Sequence, residues 1–114
     1  MTHQDLLSVV REYESPLYVY DASKIEAQYK RLSTAFKGVK QLRIHYAVKA
    51  LSNITVLKFL NKLGAGLDTV SIQEVRLGLE AGVAPQHIIY TPNGVSLEEI
   101  EKAAQLGVQI RIPR

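Results

Sequence analysis

The chain has 114 residues, of which 46% are hydrophobic and 22% charged, with no cysteine and a net charge of +3. This length and composition fit one globular domain and exclude a disordered tail, a collagen or a coiled coil. The lack of cysteine excludes a disulfide scaffold, an iron–sulfur site and a thiol nucleophile, and with few other candidate ligands we expect no metal site. No apolar run reaches the roughly 20 residues of a membrane span and the start lacks a secretory signal, so we expect a cytoplasmic protein.

The small excess of positive charge lies on one predicted helix and the residues just after it, namely Lys24, Lys30, Arg31, Lys37 and Lys40. A solvated helix face explains this pattern better than a nucleic-acid surface, which needs a denser basic stripe and stacking aromatic residues. We therefore expect neither a nucleic acid nor a membrane as a partner.

The first forty residues predict two helices with a short strand between them. Thr2 can cap a helix that runs to about Tyr13, since apolar residues recur there at helical spacing. The β-branched and aromatic run from Leu17 to Tyr20 predicts a strand. Asp21 can cap the second helix, which ends before Gly38.

From Leu42 onward the sequence alternates strands with helices. Each helix is opened by a serine or asparagine and closed by a glycine, and Ser71-Ile72-Gln73-Glu74 and Ser96-Leu97-Glu98-Glu99 have the form of capping boxes. The predicted strands are Leu42–Val48, Gly66–Val70, His87–Tyr90 and Val108–Ile112. The alternation predicts an α/β fold with a parallel sheet, either an open doubly wound sheet or part of a (β/α)8 barrel.

The first of these strands favours the barrel. Leu42, Ile44, Tyr46 and Val48 share one apolar face, whereas Arg43, His45, Ala47 and Lys49 share the other. An open sheet would need both faces apolar, but in a barrel the second face points inward. About four βα units are present, where a complete barrel has eight strands and about 250 residues. We therefore expect the N-terminal part of a barrel.

Lys49 is expected to be the last inward-facing residue of its strand, at the barrel mouth where active sites lie. Because the small Ala47 precedes it on this face, the lysine would have a carbonyl-sized space in front of it. Such an amine can form a Schiff base, although a lysine that merely begins a surface loop fits the same position.

Two further polar residues are expected on the same rim. Asp68 ends the next strand and could orient the amine or a cofactor, or could equally be a capping carboxylate. Asn93, with Gly94, follows the third strand, where the pair is foremost a turn signal. Glu74 fits a capping residue better than a catalyst, and His45 and His87 fit packed strand residues better than ligands.

Several motifs together resemble one enzyme family. They are Tyr46-Ala47-Val48-Lys49-Ala50, Leu63-Gly64-Ala65-Gly66-Leu67-Asp68-Thr69-Val70-Ser71 with Glu74, Ala81-Gly82-Val83, and Ile88-Ile89-Tyr90 before Asn93 and Gly94. In this combination they are similar to the fold-type III pyridoxal-phosphate-dependent decarboxylases, which share an alanine-racemase-like barrel. Members act on diaminopimelate, ornithine or arginine, and the diaminopimelate group fits best.

The resemblance implies pyridoxal 5'-phosphate as the cofactor, an amino acid as the substrate and a homodimer as the assembly. Lys49 would hold the cofactor as a Schiff base and Asp68 would lie in its pocket, with Ala47, Glu74 and Asn93 as further cofactor-binding positions. The chemistry would be loss of the α-carboxylate.

The family pattern continues beyond the residues present here. We therefore expect an N-terminal fragment, inactive on its own, in which residues 1–20 would join a missing β-domain and residues 21–114 form a partial barrel. Leu51 also departs from the asparagine that many members carry after Lys-Ala.

Other interpretations stay open at this point. An alanine racemase usually carries Tyr-Gly-His-Gly soon after its lysine, and this chain does not. A non-catalytic pyridoxal-phosphate carrier protein would not need the Leu17–Tyr20 strand. In a free-standing open α/β module that binds a partner, Lys49 would have no special role.

Overall fold

The computed structural model describes residues 1–112. Its helices are α1 (His3–Tyr13), α2 (Ala22–Ala35), α3 (Ile54–Lys62), α4 (Ile72–Glu80) and α5 (Leu97–Gln105). Its strands are β1 (His45–Ala47), β2 (Gly66–Thr69), β3 (Ile88–Tyr90) and β4 (Gln109–Ile110), and short 3₁₀ turns occupy Val48–Ala50 and Pro85–His87. No helix among the described residues is long and apolar enough to cross a membrane.

The four strands form one parallel sheet in the order β1-β2-β3-β4, as the alternation predicts. Parallel neighbours that follow each other in the chain require a crossover, and α3, α4 and α5 provide these. In the ladder, Ala47 pairs with Asp68, Asp68 with Ile89 and Ile89 with Gln109. Because side chains alternate along a strand, this row shares one face of the sheet.

The opposite face of the sheet packs under the helices and forms the main core. Leu67, Ile88 and Tyr90 from the strands are fully buried there against Leu57 of α3 and Val75 of α4. Burying each such side chain stabilises the fold by about 1.5–3 kcal/mol. The core therefore fixes which face of the sheet is left for a site.

In each of the two predicted capping boxes, only the hydrogen bond to the serine forms. Ser71 and Ser96 cap α4 and α5 by accepting from the N–H groups of Glu74 and Glu99. The Glu74 carboxylate, however, accepts from the Val70 N–H at 2.7 Å. The Glu99 carboxylate binds β3 and α4 instead of its own helix start. It accepts from the Tyr90 hydroxyl at 2.7 Å and from the Ile72 N–H at 3.2 Å. A local contact with the residue before Ser71 thus replaces the second half of the first box, and tertiary contacts replace that of the second.

The N-terminal region is only loosely attached. Thr2 caps α1 as predicted, in a full capping box with Asp5, but α1 has no buried residue. Residues Leu17–Tyr20, expected to pair with a β-domain, form no strand here, since no described strand lies beside them to accept their hydrogen bonds. Tyr18 is 89% exposed.

All four strands are shorter than the sequence predicts, and β2 loses only its last residue, Val70. β1 begins at His45 rather than Leu42, β3 at Ile88 rather than His87, and β4 covers only Gln109–Ile110. A residue belongs to a strand only where a neighbouring strand lies opposite. The apolar alternation in the sequence continues past the last paired residue, so it predicts strands that are too long. The largest consequence concerns Lys49, which lies outside the strand.

Candidate functional site

The candidate site lies on the face of the sheet opposite the helices, at the carboxyl ends of the strands. Ala47 ends β1 directly opposite Asp68 of β2. Since parallel strands end at a common edge, the segments after β1, β2 and β3 begin at the same rim. Both residues of the Ala47–Asp68 pair are half-buried, so a small side chain and a carboxylate are accessible side by side.

Asp68 has a partner that the sequence patterns did not reveal. The Thr91 hydroxyl, on the residue just after β3, donates to Asp68 Oδ1 at 3.4 Å. The Thr91 N–H donates to the Thr69 carbonyl at 2.9 Å, which fixes the Thr91 backbone to β2. Ile89 pairs with Asp68 and lies on the same face of the sheet. Thr91 follows two residues later, so the alternation of side chains places it on that face as well. This threonine therefore orients the carboxylate.

Lys49 lies in the 3₁₀ turn Val48–Ala50, so its expected place as the last inward-facing strand residue is wrong. Val48 is fully buried and anchors the turn, and the Leu51 N–H donates to the Val48 carbonyl at 3.1 Å. The Tyr46 hydroxyl donates to the Leu51 carbonyl at 3.2 Å. The turn is thus held on both sides, with exposed Lys49 two residues beyond Ala47 at the rim.

Glu74 and Asn93 are less closely tied to this pair. Glu74 is on the first turn of α4 and binds the Val70 N–H, so it holds the segment that follows β2. Asn93 is exposed in the turn after β3, and within residues 1–112 its side chain takes part in no hydrogen bond. The structure brings Ala47, Asp68 and Thr91 together, and Asn93 is not among them.

His45 lies one step below this row, on the same face of the sheet. It pairs with Gly66, where an added Cβ would come within 2.7 Å of the imidazole ring, so the glycine makes room for His45. The Nε2 atom is buried without a hydrogen-bond partner. Burial lowers the pKa of His45, which favours the neutral imidazole.

These residues fit the aldehyde end of pyridoxal phosphate. Lys49 supplies an exposed amine that forms no ion pair with a carboxylate among residues 1–112. Ala47, two residues before Lys49, carries only a methyl group, and Asp68 opposite Ala47 supplies a carboxylate that Thr91 orients. Within the same residues, no cluster of three potential metal ligands occurs.

Comparison with known proteins identifies the class. Residues 22–112 match the family model of the pyridoxal-dependent decarboxylases, pyridoxal binding domain. The chain belongs to this family, whose cofactor is pyridoxal phosphate. The family resemblance expected from the motifs is therefore confirmed.

Its relatives include diaminopimelate decarboxylases. That of Methanothermobacter thermautotrophicus is 38% identical over 95% of this chain and 26% of the relative. That of Helicobacter pylori strain J99 is 44% identical over 84% of this chain and 24% of the relative. The chain thus spans about a quarter of the length of the curated relatives it matches.

Solved structures agree with the sequence relatives. The Helicobacter pylori diaminopimelate decarboxylase complexed with L-lysine matches 99% of this chain and 28% of its own, at a TM-score of 0.86 and 35% identity. A lysine/ornithine decarboxylase from Vibrio vulnificus complexed with putrescine matches with a TM-score of 0.86 at 26% identity. The sheet is therefore the N-terminal part of the decarboxylase barrel, and the open doubly wound alternative is wrong.

Proposed function

We propose that this chain forms the lysine-bearing part of the cofactor barrel of a diaminopimelate decarboxylase, which converts meso-2,6-diaminopimelate to L-lysine. The observation that carries the proposal is the Ala47–Asp68 pair with Lys49 two residues beyond it, in a chain of this family. Among the solved structures, the Helicobacter pylori diaminopimelate decarboxylase is 35% identical to this chain, against 26% for the lysine/ornithine decarboxylase. This difference favours diaminopimelate over ornithine.

Each site residue has a role in this proposal. Lys49 would hold pyridoxal phosphate through its ε-amine, from a turn whose backbone is fixed by Val48 and Leu51. Asp68, oriented by Thr91, would bind a positive group beside the amine. Ala47 would leave room for the cofactor, which when bound accepts the electrons released as the carboxylate leaves.

Glu74 and Asn93 would act from the edge of the site. Glu74 would hold the segment after β2 through the Val70 N–H, which keeps the end of the Asp68 strand in place. Asn93 would contact the cofactor or the substrate only from its exposed turn.

The domain organisation expected from the sequence is part of the proposal. Residues 1–20 would pack with a β-domain and residues 21–114 would belong to the barrel. The exposed apolar residues of α1 and the Tyr18 side chain agree with a surface that another domain covers. The homodimer and the cytoplasmic location stay predictions.

A hybrid enzyme tests the proposal. Residues 1–112 of this chain replace the corresponding quarter of the Helicobacter pylori decarboxylase, and release of carbon dioxide is measured with meso-diaminopimelate, ornithine and arginine. We expect turnover with meso-diaminopimelate, and its loss to background in Lys49→Arg. The matched control is Lys58→Arg, which changes an exposed lysine of α3 and should keep activity.

A second readout does not depend on turnover. Borohydride reduction of the hybrid with bound cofactor, followed by peptide mass spectrometry, should place the cofactor on Lys49. Attachment to another lysine, or full activity in Lys49→Arg, would contradict the proposed role. Turnover of ornithine but not meso-diaminopimelate would move the assignment to the ornithine enzymes.

A further inference from the structure

The carboxylate of Glu99 joins three elements on the helix side of the sheet, and the activity proposed above gives it no role. Its Oε1 atom accepts from the Tyr90 hydroxyl at 2.7 Å and from the Ile72 N–H at 3.2 Å. Tyr90 ends β3, Ile72 begins α4 and Glu99 lies in the first turn of α5. One oxygen therefore connects the end of a central strand to the starts of two helices.

Both groups that donate to Glu99 are buried and need an acceptor. The Ile72 N–H is among the first four of α4, which have no carbonyl one turn earlier to bind. The Tyr90 side chain is fully buried in the core, where its hydroxyl reaches only the edge that Glu99 covers. An unpaired buried donor is costly and an ionised acceptor binds it strongly. The positive ends of the α4 and α5 dipoles, which meet at Glu99, also favour a carboxylate there.

The two bonds of Glu99 lie next to the candidate site. Tyr90 immediately precedes Thr91, whose hydroxyl donates to Asp68 Oδ1 at 3.4 Å. Ile72 lies four residues after Asp68, at the end of the segment that leaves β2. Glu99 therefore holds one residue beside Thr91 and another shortly after Asp68.

The other hydrogen bonds of this region are local or run between the two strands. Glu74 binds the Val70 N–H from within α4, and the Thr91 N–H donates to the Thr69 carbonyl. Within residues 1–112, only the carboxylate of Glu99 links the start of α4 to the end of β3 by hydrogen bonds. Its loss would free the two strand ends to shift relative to each other.

We infer that Glu99 is a positioning residue for the cofactor and the amino-acid substrate. Through its two bonds it holds the ends of β2 and β3, which place Asp68 and Thr91. It lies on the helix side of the sheet, opposite the face of Asp68, so it acts through the backbone and not by contact with the cofactor. Its consequence for binding and turnover rests on the proposed function, which puts the cofactor beside Asp68.

The hybrid enzyme described above tests this role through Glu99→Ala. Affinity for pyridoxal phosphate is measured by titration of the cofactor-free hybrid, and kcat and KM are measured with meso-diaminopimelate. We expect cofactor affinity and kcat each to fall by at least about tenfold, because a displacement of about 1 Å at a reacting centre can cost about 10²-fold in rate.

Glu98→Ala is the matched control. The Glu98 carboxylate lies one residue earlier in α5, is 74% exposed and binds Lys102 of the same helix. An exposed ion pair of this kind contributes little to stability, so we expect cofactor affinity and kcat to stay within about twofold of the wild-type hybrid.

Two further variants separate positioning from a general loss of stability. Val83→Ala truncates a buried side chain beyond the other end of α4, so it should lower the melting temperature without changing cofactor affinity. Glu99→Gln keeps an acceptor oxygen and should recover a large part of the affinity lost in Glu99→Ala. The visible circular dichroism of the bound cofactor, which reports its placement in the site, should fall in Glu99→Ala and return in Glu99→Gln.

If Glu99→Ala does not fold, Tyr90→Phe takes its place, because it removes one of the two bonds and keeps the buried ring. It should weaken cofactor binding by about threefold, a change of the size expected for one hydrogen bond, whereas Val83→Ala should not. All measurements are made below the melting temperature of the least stable variant.

The outcomes separate the role of Glu99 from the proposed function. A wild-type hybrid that binds no cofactor at Lys49 would contradict both. Cofactor binding in the wild-type hybrid with unchanged affinity and kcat in Glu99→Ala would overturn only the role of Glu99. An equal loss of cofactor affinity in Val83→Ala or Glu98→Ala, or no recovery in Glu99→Gln, would overturn it as well.

Discussion

Helices α1 and α4 begin in a similar way but differ in how they pack. Each is capped by a hydroxyl, Thr2 or Ser71, and each carries an acidic residue in its first turn. α4 buries Ile72, Val75 and Gly78 against the sheet, whereas α1 buries nothing. Capping thus decides where a helix starts, and tertiary contacts decide how firmly it is held.

A pair of leucine truncations tests this difference in packing most directly. Leu67→Ala should lower the free energy of unfolding by about 2–5 kcal/mol, because the fully buried side chain leaves a cavity. Leu7→Ala on α1 should change it by less than about 0.5 kcal/mol, since Leu7 is 43% exposed. Urea denaturation measures both, and equal losses would show that α1 is packed after all.

A glycine pair extends the comparison to the sheet. At Gly66 an added Cβ would lie 2.5 Å from the His87 carbonyl oxygen, so Gly66→Ala should destabilise by about 1–3 kcal/mol. At Gly38, between α2 and β1, a Cβ would meet nothing within 4 Å. Gly38→Ala should therefore leave the urea midpoint unchanged or slightly raised. A Gly66→Ala protein of wild-type stability would refute the close approach.

Removing the hydrogen bond that joins β3 to α5 should lower the stability by a smaller amount. Tyr90→Phe removes the hydroxyl that donates to Glu99 and should lower the free energy of unfolding by about 1 kcal/mol. Burial, followed by the bond to Glu99, raises the pKa of Tyr90 to about 12, so spectroscopic titration of the tyrosines should show one late group that Tyr90→Phe removes. Tyr18→Phe, at an 89% exposed residue, is the control and should leave stability unchanged.

The smallest expected effect is a dependence of stability on pH. Burial is the main cause that lowers the pKa of His45 in the fold; a backbone hydrogen bond with Arg43 opposes it, and the charges of Arg43 and Arg111 lower the pKa further. The unfolded chain therefore binds a proton first, below about pH 6.5, and stability is full above that pH and falls as the pH drops toward the lowered value. His45→Gln should flatten this part of the profile, whereas His3→Gln on exposed α1 should not. An unchanged slope in His45→Gln would rule out the imidazole as its source.

Much of the site can be predicted from local patterns. Ser71 and Ser96 cap the helices that they are expected to cap, and the βα alternation gives the parallel sheet with Ala47 and Asp68 at its carboxyl edge. Thr91 could be found only once the register of β2 and β3 was known. Glu99 was expected to close a local box and instead joins β3 to α4.

The sequence by itself determined the helix starts, the helix-closing glycines and the alternation that places Asp68 at a strand end. These features depend on hydrogen bonds and backbone angles within a few residues, which local residue types specify. Only the tertiary structure decided that β1 stops at Ala47 and that Lys49 lies on a 3₁₀ turn. A strand exists only where another strand lies opposite, and that partner is set by packing distant in sequence.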